Sequence, residues 1–243
     1  MNIYSRADIP ARSTETSADK LERTNAMSIP IQIMRTTAAA ATLMATLGTG
    51  VALAQSAGSA HQFENVEAPR NQENGVFINQ IGSSNEASAQ QDGNAASAQV
   101  AQQGEGNRAA IRQSSAPHYA AVAQNGNLNE ADIAQDGNGQ TALVLAQQGN
   151  GNVADILQRE AGLAYSAGAI SQTGDSNSLS LIQDGSDNQA RLTQAGDGNA
   201  MTASQLGGNN RLDWSQVGSG LSDLQIEQTG GAGLIVIQTN GGG

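Results

Sequence analysis

The chain has no cysteine. Neither a disulfide nor thiolate chemistry can contribute to it. Aromatic residues make up 2% of its 243 residues, and only one of them is tryptophan. A compact core of bulky side chains cannot be assembled from that stock. The chain is therefore either disordered or a stack of repeats around a thin core of small residues. Basic residues are scarce: 11 lysines and arginines stand against 22 aspartates and glutamates, for a formal net charge of −11. Nucleic-acid binding needs a basic footprint, so no nucleic-acid partner is expected. The two histidines, His61 and His118, lie far apart and have no cysteine beside them. With so few nucleophiles, bases and soft ligands, the expectation is no enzyme activity, no catalytic residue, no metal site and no cofactor.

One mildly apolar run breaks the polar character. Residues 34–54 read MRTTAAAATLMATLGTGVALA, with Arg35 ahead of the run and Ala52-Leu53-Ala54 at its end. A basic residue, a short apolar stretch and an A-x-A ending read as a secretory signal, with cleavage between Ala54 and Gln55. The run is too short and too rich in small residues for a permanent membrane helix. Residues 1–54 are thus read as an N-terminal extension plus signal peptide, with Met27 or Met34 as candidate initiators. Their removal takes away Arg6, Arg12, Lys20, Arg23 and Arg35, and also Asp8, Glu15, Asp19 and Glu22. That leaves 6 basic residues, all arginine, against 18 acidic ones. Residues 55–75 are polar, hold Pro69 and read as a flexible leader. Residues 76–243 form the repeat region.

What the chain has in abundance is periodic glutamine. It returns at Gln80, Gln91, Gln102, Gln113, Gln124, Gln135, Gln147, Gln158, Gln172, Gln183, Gln194, Gln205, Gln216, Gln228 and Gln238. Most spacings are 11; those ending at Gln147, Gln172, Gln228 and Gln238 are 12, 14, 12 and 10. Glycine follows two residues later at Gly82, Gly93, Gly104, Gly126, Gly137, Gly149, Gly174, Gly185, Gly196, Gly207, Gly218 and Gly230, with Ser115 and Glu160 as the exceptions. A fixed short period is the signature of stacked repeats.

Within each unit the pattern has period two. Ala109 and Ile111 alternate with Arg108, Ala110 and Arg112, and Ala131 and Ile133 with Glu130 and Asp132. The same holds for Ala154 and Ile156, Leu179 and Leu181, Ala190 and Leu192, and Leu212 and Trp214. One apolar face at period two predicts half-buried strands. The Asp-Gly, Asn-Gly and Gly-Asn pairs between them are turn dipeptides, because glycine and asparagine tolerate positive φ. Two such halves make one coil of about 22 residues.

The corner residue supports that coil length. Five residues after each glutamine stand Asn85, Ala96, Asn107, His118, Asn129, Gln140, Asn152 and Leu163, so asparagine occupies every second half-repeat. Further on, Asn177, Asn188, Asn199 and Asn210 follow one another. Buried amides without partners cost about 1–3 kcal/mol each. Stacked at strand spacing, they bond to the copies above and below, as in cross-β stacks. The glutamines and these asparagines are accordingly read as structural ladder residues, and the glycines as turn residues. The predicted fold is all-β: an amyloid-like cross-β solenoid of strand-turn-strand coils, about seven in number. No polar cap is evident at either end. The strand Leu234-Ile-Val-Ile-Gln238 is the most apolar of all and is followed by Asn240-Gly-Gly-Gly243. An uncapped β-stack is a template for polymerisation.

A signal peptide, a polar leader and a repeated Q-x-G-x-x-N-x-A-x-x-x-Q resemble the curlin family, the subunits of curli amyloid fibres. Two units match that motif outright: Gln102-x-Gly104-x-x-Asn107-x-Ala109-x-x-x-Gln113 and Gln183-x-Gly185-x-x-Asn188-x-Ala190-x-x-x-Gln194. The resemblance covers the whole glutamine array. It implies a secreted subunit that polymerises with itself into pilus-like fibres on the surface of a Gram-negative bacterium, for adhesion and biofilm matrix. It also implies a companion curlin subunit (nucleator or major), periplasmic accessory proteins and an outer-membrane export pore. The array is longer than is usual in the family, and the units at 113–124 and 158–172 are degenerate. The other reading of the residues is a monomeric β-solenoid adhesin or binding module that does not polymerise. The outward acids Glu86, Glu130, Asp132, Asp155 and Asp213 are read as gatekeepers that slow assembly by like-charge repulsion.

Overall fold

A computed structural model describes residues 75–240. The expected signal peptide, its expected cleavage site and nearly all of the expected leader lie outside the described residues. Alternation at period two leaves no helix in the described chain, only strands. In order they are β1 (Gly75–Ile81), β2 (Glu86–Gly93), β3 (Ser97–Gln103), β4 (Arg108–Ser115), β5 (His118–Asn125), β6 (Glu130–Gly137), β7 (Gln140–Gln148) and β8 (Val153–Glu160). They continue with β9 (Tyr165–Thr173), β10 (Ser178–Ser186), β11 (Gln189–Ala195), β12 (Ala200–Gly208), β13 (Arg211–Val217), β14 (Ile226–Thr229) and β15 (Gly233–Thr239).

Odd strands stack on odd and even on even. The odd strands form one eight-stranded sheet and the even strands a seven-stranded sheet, each in simple serial order. Every pairing is parallel and keeps glutamine on glutamine, as in Gln102↔Gln124 and Gln183↔Gln205. One turn of the coil is therefore an odd strand, a first corner, an even strand and a second corner. The result is the expected β-solenoid, with a rise of about 4.8 Å per coil.

The core lies between the inner faces of the two sheets. The inward pairs predicted above are all buried there, among them Ile111, Ile133, Ile156, Leu181, Leu192 and Trp214. Most strands contribute only two apolar side chains to this layer, so much of the cohesion must come from hydrogen bonds along the stack. The odd sheet also carries a second, smaller apolar cluster on its other face: Tyr119, Ala121, Ala123 and Ala142.

The degenerate units are ordered strands, and their odd residues have structural roles. Ser115 takes the turn with φ 82, as a glycine would. Glu160 instead turns inward and is fully buried. Its carboxylate accepts from Ser166 Oγ at 2.6 Å, Gly162 N at 3.0 Å and Asp187 N at 3.1 Å. Three donors replace the water that a buried carboxylate loses. The insertion after it forms a bulge at the second corner, with Leu163 at its exposed tip.

The corner assignment needs correction in two places. The ladder pairs His118 with Thr141 and Thr141 with Ser166, so Gln140 and Leu163 are not the corner residues. The extra residues of those two units sit in the turn ahead of the corner, which leaves the strand behind it in register. The two asparagine sets also belong to different corners. Asn85, Asn107, Asn129, Asn152, Asn177 and Asn199 stack at the first corner. Asn188 and Asn210 stack at the second, below Ser166.

Candidate functional site

The chemistry of this molecule is concentrated in its ladders and at the two ends where they stop. In the odd sheet, Gln80 Nε2 donates to Gln102 Oε1 at 2.7 Å, Gln102 to Gln124 at 2.7 Å and Gln124 to Gln147 at 2.8 Å. The relay continues through Gln172, Gln194 and Gln216 to Gln238. The even sheet has the same relay from Gln91 through Gln113, Gln135, Gln158, Gln183 and Gln205 to Gln228. The second amide proton goes to the opposite strand: Gln113 Nε2 donates to Ser97 O at 3.1 Å, and Gln135 Nε2 to Tyr119 O at 2.9 Å. Each interior glutamine thus uses both protons and its oxygen, and it ties the two sheets together as well as successive coils.

These relays have a direction. Every glutamine donates toward the C-terminal end. Among the described residues nothing donates to the side-chain oxygens of Gln80 and Gln91 at one end. At the other end Gln238 Nε2 donates only to Ser222 O, at 2.8 Å. Among the described residues the odd relay is thus short of a donor at one end and keeps a spare proton at the other, as in two halves of one contact, whereas Gln228 at the end of the even relay donates to Arg211 O at 3.1 Å and Ala232 O at 3.2 Å. The asparagine column runs the opposite way. Asn107, for example, donates to Asn85 Oδ1 at 3.1 Å and to Gly126 O at 2.7 Å.

The turn glycines hold the first corner closed. Gly82, Gly104, Gly126, Gly149, Gly174, Gly196 and Gly218 have φ between 110 and 129. At the second corner Gly137, Gly185, Gly207 and Gly230 also have positive φ, from 68 to 143, and Gly93 does not. The first corner is therefore uniform and the second is variable. Three of the four irregular glutamine spacings fall at the second corner; the spacing that ends at Gln228 falls at the first.

The outward charges are paired, which corrects the gatekeeper reading. Arg108 lies between Glu130 at 2.7 Å and Glu86 at 3.9 Å. Arg112 meets Asp132 at 2.6 Å, and Arg191 meets Asp213 at 3.8 Å. Four of the five acids named above thus have an arginine on a neighbouring coil. Only Asp155 has no arginine among these pairs, and it stacks on Asp132 in register. Such exposed pairs contribute at most about 1 kcal/mol each, but they cancel most of the repulsion expected from these positions. The acidic turns are occupied likewise: Asp184 pairs with Arg159, Asp187 with Arg211, and Asp197 Oδ1 accepts from Asp175 N at 2.8 Å. No group of three or more histidine, cysteine, aspartate or glutamate side chains is placed to hold a metal ion among the described residues. Nor is any helix there long and apolar enough to cross a membrane.

His118 stands in the second-corner column. Its Nε2 lies 2.8 Å from Ser114 O and its Nδ1 3.0 Å from Thr141 Oγ1. A carbonyl can only accept, so Nε2 carries the proton and Nδ1 accepts from the Thr141 hydroxyl. Desolvation by burial lowers its pKa from the usual 6.5, against opposing effects from the Ser114 carbonyl and the charge of Asp136. Asp136 itself is held below the usual carboxylate range, first by the Gly137 N–H and then by the Ser114 hydroxyl. A histidine that resists protonation when folded contributes stability that is complete above its unfolded pKa. That stability is lost as pH falls through the window below 6.5 toward the lowered folded value. The denaturation midpoint should therefore drop between pH 7 and pH 5.5. His118→Asn, which places there the residue found at 188 and 210, should flatten that slope. An unchanged slope in the variant would assign the pH dependence elsewhere.

Sequence reasoning located the ladder glutamines, the turn glycines and the asparagines. It did not foresee the inward Glu160 or the arginine pairs. The pairs had a signal: Glu86, Arg108 and Glu130 are spaced by 22, as are Arg191 and Asp213. No family model matches the chain, and neither a curated protein nor a solved structure matches it.

Proposed function

We propose that this chain is a secreted structural subunit that adds end to end to copies of itself, forming extracellular curli-like amyloid fibres. The observation that carries the reading is the complementarity of the two ends. Among the described residues both end strands of the odd sheet, β1 and β15, pair on one side only. Among the described residues both amide relays start on open acceptors, and the odd-sheet relay finishes on a spare donor at Gln238. A β-edge of this kind recruits further strands unless it is capped. The motif, its period and the signal-like run at 34–54 support the same reading, and with it export through an outer-membrane pore, a companion subunit, and roles in adhesion and biofilm matrix. The alternative, a monomeric β-solenoid adhesin, would need end caps; the described residues include none.

The test is a thioflavin time course on the chain diluted from denaturant, with micrographs and circular dichroism at the end point. The expected result is a lag, then β-rich fibres whose fragments abolish the lag in fresh monomer. A soluble, folded, β-rich monomer that never elongates would overturn the fibre reading and favour the adhesin.

A further inference from the structure

We infer that β15 is an exchangeable plug: in assembly, β1 of the next copy takes its place on β13. This rests on the fibre reading and adds to it how successive copies join.

The first observation is a likeness. β1 reads Gly-Val-Phe-Ile-Asn-Gln-Ile and β15 reads Gly-Leu-Ile-Val-Ile-Gln-Thr. Aligned on their ladder glutamines, both begin with glycine and both carry large apolar residues at the next three positions, on both faces. In the strands between, the third of those positions is inward and apolar or small, but the outward one is Gln99, Ala121, Val144, Ala169, Arg191 or Asp213. The edge of β13 is thus already covered by a strand that imitates β1.

The second observation is geometric. The fifteen described strands put eight in one sheet and seven in the other. Suppose a second copy stacks with its β1 directly on β15. Its β2 then stands two strand spacings from β14, and the even sheet has a one-strand gap at every junction. Suppose instead that the incoming β1 replaces β15. Then β1 pairs with β13, β2 pairs with β14, and both sheets run on without a gap.

The third observation is how weakly β15 is held. Among the described residues it pairs with β13 alone. It follows Gly230 and Gly231, both at φ 68 with no atom near their missing Cβ positions, so no side-chain packing holds the hinge, only the backbone bonds from Gly230 N to Leu206 O at 3.0 Å and Gly231 N to Gly208 O at 2.6 Å. Ile235 and Ile237 remain 40% and 61% exposed. The strand before the hinge, β14, has only four residues.

The full chain has no native cysteine, so engineered pairs can report on this directly. Ser215 and Ile237 are register partners on β13 and β15. Neighbouring strands lie about 4.8 Å apart, within the Cα span of a disulfide. In the doubly substituted S215C/I237C chain, oxidation locks β15 in place. Seeded elongation should fall roughly tenfold or more and recover with reductant. Equal rates in the oxidised and reduced forms would overturn the exchange. A second experiment reads the junction itself. Fibres grown from mixed S215C and N79C copies should give a mixed disulfide on oxidation, because an incoming β1 sets Asn79 beside Ser215. Fibres from mixed I237C and N79C copies should not. The reverse result means that β15 stays and pairs with β1, and it overturns the proposal. Failure of the unsubstituted chain to form fibres at all would instead count against the fibre reading.

Discussion

Replacing Gln135 by alanine should destabilise the stack by about 3–6 kcal/mol. The estimate follows from what the side chain does. Gln135 is buried in the middle of the even-sheet relay. It accepts from Gln113 Nε2 at 2.7 Å, donates to Gln158 Oε1 at 2.8 Å, and donates to Tyr119 O across the core at 2.9 Å. Truncation strands an amide proton above, an amide oxygen below and a carbonyl opposite. Each stranded buried group costs about 1–3 kcal/mol. A cavity adds to this, but leucine separates the two contributions. Gln135→Leu fills the volume and leaves the same three groups without partners, so it should remain nearly as destabilising as alanine. Gln80→Ala at the exposed start of the odd relay should cost under about 1 kcal/mol, since water can replace its partner. The readout is denaturant unfolding followed by Trp214, the only tryptophan in the chain and fully buried. A Gln135→Leu variant as stable as the parent would mean that the ladder is held by packing and that its hydrogen bonds contribute nothing net.

Contacts in a solenoid repeat at a fixed offset, which is why so much of this one can be read from its sequence. Once the 22-residue coil is recognised, Gln102 must stand on Gln124, and Ile111 on Ile133. The period-two pattern then decides which residues face in. What escapes is whatever breaks the offset. Counting five residues forward from Gln135 and Gln158 reaches Gln140 and Leu163. Counting six back from Gln147 and Gln172 reaches Thr141 and Ser166, the true corner residues. At the second corner the strand behind is pinned by its ladder and the turn ahead absorbs the insertion, so the backward count holds there; before Gln228 the extra residue falls behind the corner, and the forward count from Gln216 reaches the corner residue Leu221. Glu160 was illegible for another reason. At a position where glycine is usual, nothing in the sequence says that a carboxylate will turn inward. Two of its three donors, Ser166 Oγ and Asp187 N, come from β9 and from the turn after β10. The charge pairs were legible in principle, since most of them obey the coil offset, but a reading that took the outward acids one strand at a time missed their partners.

The largest backbone effect is expected at Gly126. Its φ is 124, and a Cβ there would collide with the carbonyl oxygen of Gly149 on the next coil. That carbonyl belongs to the same stacked turn, which is tied down by the bond from Gly149 N to Asn125 O at 2.9 Å. Neither backbone can withdraw without breaking the corner. Gly126→Ala should therefore cost about 3–5 kcal/mol, combining a strained φ with a steric clash. The comparison is Gly198, in a neighbouring column of the same turn. Its φ is 63, and no atom lies within 4 Å of a Cβ built there. In that column the chain already tolerates side chains: Ser84, Leu128 and Ser176 sit at φ 57, 57 and 58. Gly198→Ala should cost only about 1 kcal/mol, the ordinary penalty of the left-handed region. The two variants make the same chemical change in equivalent turns, so their difference isolates the close approach of successive coils. If Gly126→Ala proves no worse than Gly198→Ala by denaturant unfolding, the first corner is looser than its glycine column implies. If the gap is as large as expected, the strict glycine two residues after each odd-strand glutamine from Gln80 to Gln216 is explained: it is the only residue that lets one coil lie on the next.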